Sequence, residues 1–158
     1  MAVRLAARRP AGLAGLALVA TFLRYPPVAA LLGRALARRS VVRVPPPAAL
    51  LRLAVVGSEA PAALVDEVRG AIRRVSPDVM ARRLRAVLAA DVRAELAGTR
   101  VPVLYLGGAR DRIVGRWAAA QVKAARPDAE VVMLDAPHLV LQRRARQAAG
   151  VLSAFAAG

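Results

Sequence analysis

Between Val101 and Val114 the chain reads Val-Pro-Val-Leu-Tyr-Leu-Gly-Gly-Ala-Arg-Asp-Arg-Ile-Val, and no other stretch narrows the possible folds as much. Its opening apolar run, rich in β-forming residues, predicts a strand buried on both faces of a parallel sheet. Gly107 and Gly108 are expected to break that strand and turn the backbone. Asp111 then stands just beyond the strand's carboxyl end, with a helix predicted from about Gly115. Open α/β sheets place their sites along that edge. The layout repeats once: Glu130 to Leu134 reads as a strand, Pro137-His138 as a turn and residues 142–157 as a helix. The chain's single histidine lies in this second turn.

Both helices carry one apolar face. Val114, Ala118, Val122 and Ala125 share a side of the first, with Trp117 beside them. Ala145, Ala148, Ala149, Leu152, Phe155 and Ala156 share a side of the second, with Arg143, Arg144 and Gln147 turned outward near its start. Strand, helix, strand, helix with short turns implies parallel strands and right-handed crossovers.

The N-terminal end has two readings. One is a helix end at Val3 to Arg9, a Pro-Ala-Gly turn and a buried strand from Leu13 to Phe22. The other is an export signal, with a basic start, the Arg8-Arg9 pair, an apolar run from Ala11 to Leu23 and small residues after it. The run is too short to span a membrane. A cytoplasmic protein is expected from the first reading, and an exported one if residues 1–30 act as a signal.

Residues 24–98 have a different texture. Arg24-Tyr-Pro-Pro ends the first strand, and three prolines at 45–47 interrupt the segment beyond it. Leu64, Val68, Ile72 and Val75 fall at helical spacing. Ser76-Pro77-Asp78 is a helix start, with a capping hydroxyl, proline at the first helical position and an acid in the first turn. Met80, Leu84, Val87 and Leu88 then form an apolar stripe, with Arg82, Arg83 and Arg85 opposite, and Asp91 is expected to cap a short helix ending at Gly98. The segment reads as a helical insertion between two core strands. Its arginines are either solvated faces or part of a lid over a pocket.

The net charge of +15 carries little information about partners. Nucleic-acid binding needs basic residues clustered on one face, with aromatics to stack on. Here arginines are scattered through every segment, Lys123 is the one lysine, and aromatics make up 3% of the chain. Neither nucleic acid nor a membrane is expected as partner. The absence of cysteine excludes disulfides and thiolate sites, and one histidine leaves no basis for a transition-metal centre.

Taken in order, a strand, a helical insertion, Val-Pro-Val-Leu-Tyr-Leu-Gly-Gly-x-x-Asp, a helix, a strand, Pro-His and a helix resemble the C-terminal half of an α/β-hydrolase. The resemblance implies about three parallel strands flanked by helices. Residues 1–23 and 99–158 would form a partial hydrolase core, with 24–98 as the cap or lid. In this family the acid follows the seventh strand and the histidine the eighth, the places held by Asp111 and His138. The segment from Arg4 to Ala20 resembles the helix after the nucleophile and then the sixth strand. Pro137 departs from the family, which more often has glycine there. The chemistry implied is acyl transfer from a small-molecule ester or thioester, with no metal or organic cofactor. A serine attacks the carbonyl, the histidine takes and returns its proton, and the acid fixes the histidine's tautomer. Taken without the resemblance, His138 is equally a turn histidine held by backbone, and Asp111 a partner for Arg110 or Arg112. Asp135 is the rival acid, in a position that suits a turn.

None of the four serines stands in the Gly-x-Ser-x-Gly elbow that the family uses. Ser40 has Arg38 and Val42 at the glycine positions, Ser58 has Val56 and Ala60, Ser76 has Arg74 and Asp78, and Ser153 has Val151 and Phe155. The expectation is therefore a truncated hydrolase, inactive by itself. The alternatives are a non-catalytic protein that pairs through the exposed sheet edge, or an exported basic protein. With an open edge and uncovered sheet faces, the isolated chain is expected to be poorly soluble or partly molten.

Overall fold

The computed structural model describes residues 1–36 and 43–158. Ser40 lies outside the described residues. The chain forms two compact units, Met1–Leu23 with Val92–Gly158, and Arg24–Asp91.

The first unit is built on a three-stranded parallel sheet in the order β1 (Leu16–Val19), β2 (Val103–Gly108), β3 (Glu130–Leu134). Leu16 pairs with Val103 and Leu104 with Glu130. The central strand is buried along its whole length, as a parallel strand covered on both sides must be. Side chains alternate between the faces. Leu16, Leu18, Val103 and Tyr105 join one core with Val3 and Ala6 of helix α1 (Ala2–Ala7) and with Leu96, Ala118 and Val122. Leu106 faces the other way, packing with Ala136, Val140 and Ala148.

Gly107 and Gly108 do not break β2. They are its last two residues, paired with Met133 and Leu134. Packing is what demands glycine: a Cβ on Gly108 would run into the carbonyl oxygens of Ala136 and Pro137, and one on Gly107 into Met133 and Tyr105. The first strand is shorter than the expected Leu13–Phe22. Gly12, with φ of 79°, and a turn from Leu13 N to Pro10 O precede it, and Ala20, with φ of 43°, ends it. Gly15 leaves room for the Phe155 ring, which a Cβ would meet at 3.1 Å.

Residues 92–98, grouped with the insertion on sequence, belong to the first unit. Val92 N donates to Leu23 O at 3.0 Å, and Leu96 is fully buried. The short helix here has Val92 at its N-cap with no side-chain cap; Asp91 instead lies 3.8 Å from Arg24. The predicted last helix is two, Val140–Arg143 and Ala145–Ala157, because Arg144 (φ −137°, ψ 46°) leaves the helical region. Its buried side is Ala148, with Val151, Leu152 and Phe155 half-buried, while Ala149 and Ala156 are exposed. Arg143 and Arg144 are half-buried rather than turned outward.

The second unit holds Pro27–Leu36, Ala48–Leu51 continuing as a π-helical turn to Val56, Ala62–Arg73 and Pro77–Leu88. Ser76 caps the last of these by accepting from Val79 N, as its sequence predicts. The apolar stripe on that helix is only partly covered: Ala81 is buried, whereas Leu84 and Val87 are exposed. Among the described residues, no helix is long and apolar enough to cross a membrane.

Candidate active site

Beyond their last paired residues, β2 and β3 stay stitched together. Ala109 N donates to Leu134 O at 2.7 Å and Arg110 N to Ala136 O at 3.0 Å. The turns after the two strands therefore leave the same edge of the sheet side by side. Asp111 stands on one and His138 on the other.

Their side chains meet. His138 Nδ1 lies 2.8 Å from Asp111 Oδ2, and the Asp111 carboxylate has no exposed surface. Its other oxygen, Oδ1, accepts from Ile113 N and Val114 N, each at 2.8 Å. Those two amides lead into the helix Arg116–Ala125, so the same backbone that starts the helix fixes the carboxylate. An ionised carboxylate only accepts, so in this contact Nδ1 is the donor and Nε2 is the ring nitrogen that Asp111 leaves unengaged. The imidazole is 24% exposed to solvent, while its partner is sealed.

Tyr105, on β2, donates its hydroxyl to Thr21 O at 3.1 Å. Burial, reinforced by the negative charge of Asp111, pushes its phenol up to about 12. It stays neutral and holds the segment after β1 against β2.

Of the rival partners, neither Arg110 nor Asp135 displaces this pairing. Asp135 is 70% exposed and sits 2.7 Å from Arg110 Nε, so it is no acid for His138. Arg110 is thereby directed to Asp135. The residue pattern did not announce this ion pair, because it read Arg110 as a possible partner for Asp111 and Asp135 as a rival acid or turn residue. Ser153 is exposed on the last helix, and Ser58 and Ser76 belong to the other unit. A recess of about 940 Å³ opens at the opposite end of the sheet, lined by Ala17, Pro102, Arg126 and Phe155, and includes neither Asp111 nor His138.

No protein-family model and no curated protein matches the chain. Solved structures do. The enol-lactonase of Burkholderia xenovorans LB400 superposes with a TM-score of 0.83 at 25% identity, covering 99% of this chain and 61% of that one. A hydrolase from Pseudomonas aeruginosa PA01 superposes at 0.75 and 22%, covering 99% and 60%. MGS-M2, an α/β-hydrolase enzyme from a Medee basin deep-sea metagenome library, reaches 0.67 at 15%, covering 99% and 61%. The chain has the α/β-hydrolase fold. It spans about three fifths of the length of these structures. Within the α/β-hydrolase fold, the edge of the sheet that carries Asp111 and His138 is the carboxyl edge, where open α/β sheets bind their ligands.

Proposed function

We propose that Asp111 and His138 are the acid and base of an acyl-transfer triad acting on a small-molecule ester, lactone or thioester. The observation that carries this reading is the 2.8 Å contact from Nδ1 to a buried carboxylate whose second oxygen is held by two backbone amides. Asp111 holds the ring with Nε2 free to take a proton from a nucleophile, and stabilises the imidazolium that results. The same imidazolium then returns the proton to the leaving group. The likeness to the enol-lactonase supports acyl chemistry and does not choose the substrate.

On this reading the nucleophile lies outside these 158 residues, since none of their serines stands in Gly-x-Ser-x-Gly. The chain alone is then inactive, and residues 24–91 are the cap. The test starts from the reading frame upstream of Met1. It is expected to encode Gly-x-Ser-x-Gly within about ten codons. The correspondingly extended protein should hydrolyse p-nitrophenyl acetate and lose that activity in His138→Ala. An extended protein that keeps its rate without His138 defeats the proposal.

A further inference from the structure

The acid and base turns are joined by more than the contact between Asp111 and His138. Asp135, at the start of the base turn, faces two guanidinium groups. Arg110 Nε lies 2.7 Å from its Oδ1, and Arg144 Nη2 lies 3.4 Å from its Oδ2. Arg110 Nη2 also reaches the Asp135 carbonyl at 3.4 Å. Arg110 immediately precedes Asp111, and Arg144 stands where the chain bends between the two last helices, its Nη1 donating to Arg143 O at 3.1 Å. One carboxylate thus connects the acid turn, the base turn and the helix after the base.

On the reading of Asp111 and His138 as an acyl-transfer pair, we propose that Asp135 is a positioning residue, clipping the base turn to the acid turn through Arg110 and Arg144. Each pair is exposed and weak taken singly. Their leverage comes from place: they anchor the residue three positions before His138, where a small rotation of the turn opens the Nδ1 to Oδ2 contact. The strand ladder holds the backbone up to Ala136, and the clip holds the side-chain side of the same turn.

His138 is the one histidine of these 158 residues, so after nitrogen-15 labelling of histidine its ring is assigned as the signal lost in His138→Ala. In the upstream-extended protein, Asp135→Asn is expected to speed exchange of the His138 Nδ1 proton about fivefold, with the second tautomer becoming visible. Asp135→Glu should restore the slow exchange, and raising salt to about 1 M should carry the wild type toward the Asn variant, because exposed pairs are screened. The thermal midpoint should stay within a few degrees throughout. Unchanged exchange in Asp135→Asn overturns the proposal. So does faster exchange that neither glutamate nor salt modulates, since that marks a change in folding alone. If the extended enzyme proves indifferent to His138→Ala, the acyl-transfer reading falls while the ring measurement still decides whether the clip exists.

Discussion

Each end of the sheet has a carboxylate beside a nitrogen base, and the two are built in opposite ways. At the carboxyl end, Asp111 is sealed and its partner His138 is partly open to solvent. At the amino end, Asp128 is 64% exposed and its partner Arg126 only 11%. There the guanidinium is the buried member. It donates to Asp128 at 2.8 and 2.6 Å, to Thr99 O and Oγ1 at 2.9 and 2.7 Å, and to Val101 O at 3.1 Å. A permanently charged group with its donors spent on protein acceptors has nothing left for a ligand, so this end is a clamp. An imidazole with one nitrogen fixed keeps the other as an unused donor or acceptor atom. The difference between the clamp and the proposed site is thus which partner keeps an unused atom.

The sharpest break of this contrast is Asp111→Asn in the upstream-extended protein. Esterase activity should fall about 10⁴-fold, as when a triad acid loses its charge, with the fold retained. A rate within tenfold of wild type would remove the distinction between the two ends. Next comes Gly108→Ala. The added methyl meets the Ala136 and Pro137 carbonyls, which cannot swing away as a flexible side chain would. A loss of about 3 kcal/mol in a urea titration is expected, together with loosening of the His138 turn.

The elements that set this edge were legible because apolar runs of five or six residues bounded by turn residues leave few alternatives. The strand at 130–134 and the helix starting at Arg116 come directly from them. Asp111 and His138 were found by their places after two strands. The residue pattern alone left each with an ordinary alternative. What sequence could not assign was the arginines. Arg126, Arg110 and Arg144 look alike in a chain with 25 basic residues, and only packing tells an inward clamp from a solvated charge. The two glycines misled for a related reason: glycine marks a turn when the backbone needs it, and a tight approach when a neighbour does. Here the neighbours are the turn after β3 for Gly108, and the Met133 and Tyr105 side chains for Gly107.

At the amino end, Arg126→Met should cost about 2 kcal/mol by urea titration, because Thr99 O and Val101 O lose a charged donor. The Nδ1 proton of His138 should be unaffected. A variant that perturbs that ring would show the ends to be coupled.

Alkaline titration separates the ends again. Tyr105 keeps its proton to about pH 12 in the folded chain, against about 10 when unfolded. Stability from this group is therefore complete below pH 10 and lost as pH rises toward 12. Tyr105→Phe should flatten that limb of a urea midpoint plotted against pH.

The smallest effect belongs to the acid limb. Arg126 holds the Asp128 carboxyl down to about 2, below its unfolded range near 3.9. The folded state thus binds fewer protons than the unfolded one in that window. Asp128 contributes its stabilisation in full above the unfolded value and loses it as pH falls through about 2. Because Asp128 is exposed, the change should be slight and should shrink further in high salt. Asp128→Asn should remove this pH dependence while leaving the Arg126 bonds to Thr99 and Val101 in place. An acid limb identical in the variant would mean that the clamp's strength lies wholly in its backbone contacts, with the carboxylate a bystander.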